Sequence, residues 1–162
     1  MGQTSKETRG VRNNNPMNIR RSTSLWVGKV KNGTDREFEQ FHEMWQGLRA
    51  AMYLLTRYHR DYHWHTLKAI ISHWAPASDG NNVEAYVGYV ESECCFSKSK
   101  IPMGPDLSDW PDRRIPLTRA FLYRLVKAMC YVESKYRPET KELDKAWRNL
   151  PVSFRTYWVP QS

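Results

Sequence analysis

Leu122, Val126, Met129, Glu133 and Tyr136 follow one another at steps of four, three, four and three, the spacing that puts side chains on one face of an α-helix. Fourth in this otherwise apolar stripe is a carboxylate. Burial beside apolar neighbours disfavours its charged form, and the negative end of the helix dipole pushes the same way. Both raise its pKa toward the range in which a general acid keeps its proton near neutral pH. The competing reading is an ion pair with Lys135, Arg137 or another cation at the helix end, and position alone favours it.

A second cluster lies near the start, in RGVRNNNPMNIRR, residues 9–21. The amides of Asn13, Asn14, Asn15 and Asn18 can close turns on their own backbone. They can equally offer a donor and an acceptor to a hydroxyl or acetamido group. Arg12 stands beside them and Pro16 fixes the chain. Substrate contact and a self-satisfied turn carry equal weight here. Asp35, just after Asn32-Gly33, is either a second reactive carboxylate or ordinary turn chemistry, with the turn favoured; Glu37, Glu39 and Glu43 have less support. Trp26 offers a flat ring for sugar stacking. His59, His63 and His65 lack the glutamate that completes the helical zinc motif, so solvated histidines at the end of a basic helix are expected, with no metal and no cofactor. Cys94, Cys95 and Cys130 are odd in number and imply no disulfide framework; Cys130 falls on a helical core position.

These groups need elements to position them. Leu67, Ile70, Ile71 and Trp74 predict a helix capped by Thr66 and ended by Pro76, and Val83, Tyr86, Val87 and Val90 predict another, capped by Asn81 or Asn82. Phe41, Met44, Trp45, Leu48, Ala51, Met52, Leu55 and Tyr58 predict a longer one. Thr118 opens the helix of the glutamate stripe, which runs to about Tyr136, and a shorter helix spans 139–149. Residues 25–31 and 36–41 read as two short strands joined through Asn32-Gly33. Between Cys95 and Pro116 four prolines predict a long wrapped loop. One domain over residues 9–150 is expected, with a loose segment before it (1–8) and an aromatic tail after it (151–162).

The chain has 162 residues, a net charge of +8, 7 Trp and 9 Tyr. Cations gather a polyanion and flat rings stack on bases or sugars, so nucleic acids and bacterial cell-wall polymers are the two partner classes. Zinc-finger spacing, an RNA-recognition signature and a phosphate-binding glycine loop are all missing, which makes nucleic acid the weaker of the two. No apolar run is long enough to span a membrane and the start has no signal-peptide core. Synthesis in the cytoplasm is expected.

VKAMCYVESKYRP, residues 126–138, resembles the helix that carries the catalytic glutamate of soluble lytic transglycosylases and related lysozyme-fold enzymes. More widely, RGVRNNNPMNIRR, W-x-G at 26–28, TDREFEQF, GLRAA and WAP before an asparagine-rich turn and AY are similar, in the same order, to a family of phage and prophage proteins described as virion structural or lysozyme-like. Met17, where that family often has glycine or leucine, and the extended C-terminal tail depart from the pattern. The resemblance implies a mainly α (α+β) lysozyme-like domain with a small β-hairpin. Loop and ribbon precede the glutamate helix, the order of a circularly permuted lysozyme. It also implies cleavage of β-1,4 glycan strands of peptidoglycan, with Glu133 as general acid and Asp35 as its partner. The groove would be lined by the asparagine loop, Trp26, Gln40 and Tyr86. With one essential acid, the enzyme would be a lytic transglycosylase. Access to the wall or periplasm would come through a virion, a holin or a secretion apparatus, whose proteins would be partners. The rivals are a noncatalytic virion or wall-binding protein and a basic nucleic-acid module.

Overall fold

The computed structural model describes residues 7–94 and 114–158. The loop expected after Cys95, with Trp110, lies almost wholly outside them, as do residues 1–6 of the expected loose start and 159–162 of the tail. The chain is mainly helical. Among the described residues the helices are α1 (Arg9–Arg12), α2 (Met44–Arg60), α3 (Leu67–Trp74), α4 (Val83–Cys94), α5 (Arg119–Ser134), α6 (Thr140–Arg148) and α7 (Val152–Tyr157), with a 3-10 turn at Ala77–Asp79. None is long and apolar enough to cross a membrane.

Several of these starts are written in the sequence. The Thr66 and Thr118 hydroxyls accept from the Ala69 and Phe121 amides at 3.0 Å, and the Asn82 side chain accepts from the Ala85 amide at 3.0 Å, satisfying donors that a first helical turn leaves orphaned. Gln46 and Glu142 reach back to the amides of Glu43 and Glu139, opening α2 and α6 with the reciprocal half of a capping box. α2 is the centre of the packing. Its Leu48, Ala51, Met52 and Leu55 are fully buried, and it meets α3, α5, α6 and α7, while α4 lies along α5. Leu122, Leu125, Val126 and Met129 carry the α5 side of this core.

The ribbon differs from the expected tight hairpin. Pairing is confined to isolated bridges, Arg20 with Phe38 and Lys29 with Phe41. Residues 37–42 are held on two sides, by Arg21 N to Glu37 O (2.8 Å) and Glu39 N to Ile19 O (3.0 Å) on one, and by Val30 N to Gln40 O (2.8 Å) and His42 N to Gly28 O (3.0 Å) on the other. Asn32 does take the left-handed conformation, with φ of 56°. The ladder nevertheless stops short of it, because the Asp35 carboxylate captures the amides of Glu37 and Phe38 that a continuous strand would pair.

Residues 152–158, expected as part of a tail, fold back on α2. Trp158 is fully buried and its indole N–H donates to the Thr56 hydroxyl at 2.7 Å, while Phe154 stacks on Tyr53 with ring centroids 4.3 Å apart. Buried next to them is His59, 2% exposed, with Nδ1 2.6 Å from the Tyr157 hydroxyl. The expectation of solvated histidines fails at this position, because α7 covers the end of α2. Burial, and then the charges of His65, Arg114 and His63, lower the His59 pKa to about 4.

Candidate functional site

The asparagine loop is seated where two helices lack side chains. A Cβ at Gly47, in the first turn of α2, would collide with the Asn14 carbonyl, and one at Gly10 would collide with the Ser134 side chain at the end of α5. Thr8 strengthens the second contact, donating from its hydroxyl to the Ser134 carbonyl at 2.7 Å. Met17 fills the core, and its carbonyl accepts the Trp74 indole N–H at 2.9 Å. The loop is thereby fixed to α2, α3 and α5 together.

Its asparagines do different work. Asn15 is fully buried and bonds the Ile19 and Glu39 carbonyls and the Ile19 amide, all within 3.0 Å. Asn14, with φ of 52°, donates to the Phe41 and His42 carbonyls. The Asn15 amide is spent through both its atoms, and the Asn14 amide through its Nδ2, on the protein's own backbone, as the self-satisfied turn requires. Asn13 donates to Asp35 at 2.9 Å and accepts from Gln40 at 3.1 Å. Asn18, also with φ of 52°, reaches α5: its Nδ2 donates to the Glu133 carboxylate at 3.1 Å and to the Glu133 carbonyl at 3.2 Å. The same residue leaves its Oδ1 buried and without a partner among the described residues.

Glu133 sits in the last turn of α5, partly buried. Oε1 accepts from Asn18 and Oε2 from the Tyr86 hydroxyl at 3.0 Å. Among the described residues no cation pairs with it. Lys135 and Arg137, the expected partners, lie over the Tyr131 ring instead, 5.0 and 4.1 Å from its centroid. Lys135 is turned away by the left-handed conformation, φ 55°, that ends the helix. Burial raises the Glu133 pKa above its ordinary value against the opposing hydrogen bonds of Asn18 and Tyr86 and the charge of Arg20. Tyr86, 5% exposed, stands behind the carboxyl and is not among the residues that line the groove described below.

Asp35 is placed differently. Arg9 grips it through two hydrogen bonds of 2.7 and 2.8 Å, Asn13 adds one, and the Glu37 and Phe38 amides complete five. The Arg9 guanidinium, above all, holds the carboxyl well below the usual carboxylate range. With its lone pairs taken, Asp35 serves as the clasp of the ribbon, and the geometry offers it no role as a water-activating base. Arg12, Asn13, Asp35 and Gln40 line a separate polar hollow of about 580 Å³.

In front of Asn18 runs a groove of about 420 Å³, between the loop residues Asn18, Arg20, Ser22 and Trp26 on one side and His73, Trp74 and Pro76 on the other. Leu54 and Tyr58 of α2 also line it. Of the expected groove residues it contains Asn18 and Trp26; Trp26 stands edge-on to Tyr53, ring centroids 5.4 Å apart. Trp74, half-buried and packed against the core, also forms wall here. Sequence reasoning passed over His73, whereas Tyr58 was placed on the apolar face of the long helix and the WAP tripeptide, which begins at the last residue of α3, pointed to this wall.

No family model matches the chain. Over 110 residues it is 33% identical to Protein P5 of Pseudoalteromonas phage PM2. A phage protein is thus a distant relative. The aligned stretch spans 66% of this chain and 65% of that protein, less than two thirds of its length.

Two further carboxylate and histidine clusters resemble reactive centres. Glu39, 2% exposed, is neutralised by Lys29 at 3.2 Å, whose ammonium also binds the Ser22 and Ser24 carbonyls. His59 and His65 have ring centroids 4.4 Å apart, yet among the described residues no group of three ligating side chains is arranged to hold a metal. Cys94 and Cys130 are buried and form no disulfide among the described residues.

Proposed function

We propose that the protein cleaves β-1,4 glycan strands of peptidoglycan in a phage setting, with Glu133 as the general acid. One observation carries this reading: a partly buried carboxyl, unpaired with any described cation and held by two neutral donors, stands behind Asn18 at an aromatic-walled groove. Such a group can protonate the leaving oxygen of a glycosidic bond. Since Asp35 is saturated, no second acid is assigned. The favoured chemistry is therefore that of a lytic transglycosylase: Glu133 gives its proton to the departing oxygen as the glycosidic bond breaks, and its carboxylate then takes the proton of the sugar hydroxyl that bonds to the anomeric carbon. A lysozyme-like domain of permuted order remains the architecture proposed for it, and the virion or a secretion apparatus the route to the wall.

The test is digestion of purified peptidoglycan followed by mass spectrometry. Anhydro ends support the transglycosylase, and reducing ends a hydrolase that activates water by other means. Glu133→Gln is expected to lower product release about a thousandfold. A second reading, a wall-binding protein without turnover, is favoured by the interposition of Asn18 between Glu133 and the groove. It expects sacculus binding, no soluble products, and no effect of Glu133→Gln.

A further inference from the structure

We propose that His73 is a substrate-contacting, specificity-determining residue of the groove, binding one sugar unit through Nε2 from a ring clamped flat on Trp64. This rests on the glycan reading above.

The ring is fixed in both position and tautomer. His73 and Trp64 lie parallel, with an interplanar angle of 5° and centroids 3.5 Å apart. Nδ1 is 2.7 Å from the Ala69 carbonyl, one helical turn back on α3. A carbonyl oxygen only accepts, so Nδ1 carries the proton, and in the neutral ring Nε2 holds the lone pair. Stack and hydrogen bond together leave little torsional freedom. His73 is exposed and lines the groove, and its Nε2 has no protein partner among the described residues.

Trp64, behind it, is half-buried and is not among the residues that line the groove. Tyr62 stacks on it at 5.1 Å, Tyr58 meets it edge-on at 4.8 Å, and His73 covers a face. What these aromatics offer the groove is a braced imidazole, with an acceptor nitrogen turned away from its own helix. A polysaccharide presents hydroxyl and amide N–H donors along its edge, and an immobilised acceptor meets them at small entropic cost.

The test uses the full chain carrying Glu133→Gln, so that bound sacculi are not consumed, and compares it with the same chain carrying His73→Ala or His73→Phe. His73→Ala is expected to weaken binding to purified sacculi about tenfold, the worth of one good hydrogen bond. His73→Phe keeps the flat ring on Trp64 and loses only the nitrogens. It is expected to weaken binding by a similar factor with an unchanged thermal unfolding midpoint, which separates contact from folding. In the active protein both changes are expected to raise KM with kcat preserved. Undiminished binding by both variants overturns the proposal while leaving cleavage intact. A parent that binds sacculi but releases no fragments, with binding lost on changing His73, supports this inference and removes the catalytic reading alone. A parent that binds no sacculi removes both.

Discussion

At the scale of single residues, the pair of donors on Glu133 sets when the carboxyl gives up its proton. Hydrogen bonds from Asn18 and Tyr86 stabilise the anion and so oppose the upward push of burial. Removing one lets the pKa climb further. Tyr86→Phe is therefore expected to move the alkaline limb of the pH–activity profile upward by about one unit, the equivalent of one hydrogen bond to a charged group. A limb that stays in place would separate Tyr86 from the proton donor. Glu133 was legible in the sequence because an apolar stripe with one acid in it is a short-range pattern. Its partners were not, since Asn18 lies 115 residues away and Tyr86 47, and no periodicity encodes which distant side chain will meet a carboxyl. Asp35 shows the reverse. Its place beside a turn was readable, but the arginine that saturates it came from the far side of the loop.

At the scale of elements, the helices were recoverable because capping residues and apolar spacing act within a few residues. The structure bears this out at Thr66, Asn82 and Thr118. The ribbon was not recoverable, since its strands compete with the Asp35 side chain for the same amides. Nor was the short helix at Val152–Tyr157, whose stability comes from Trp158 and Phe154 packing on α2 and not from its own length. The seat of the asparagine loop yields a test. Gly47→Ala would gain about 1 kcal/mol of helix propensity at an open position, but here the added methyl meets the Asn14 backbone, and overpacking of this kind costs about 1–3 kcal/mol. A net loss of stability is expected in urea unfolding, together with a weakened Glu133 site, because Asn18 belongs to the displaced loop. A gain would mean that the loop stands clear of α2.

At the scale of the whole molecule, the closure of α7 over the end of α2 couples stability to acidity. The His59 pKa is about 4 when folded and about 6.5 when the ring is free. Between those values the unfolded chain binds the extra proton, so stability is complete above about pH 6.5 and declines as pH falls toward 4. The span amounts to roughly 3 kcal/mol. His59→Gln is expected to abolish that share of the decline, read as the difference between urea midpoints at pH 7 and pH 4.5 for the two proteins. Equal pH slopes would place the sensitivity elsewhere.

The contact between Asn18 and Glu133 also orders events in time. During synthesis the asparagine loop leaves the ribosome long before α5 does, and a nascent chain that has not yet reached α5 holds Asn18 without Glu133. Long-range closures of this kind form late in folding. On the glycan-cleaving reading proposed above, a product truncated or stalled before α5 would therefore lack its proton donor.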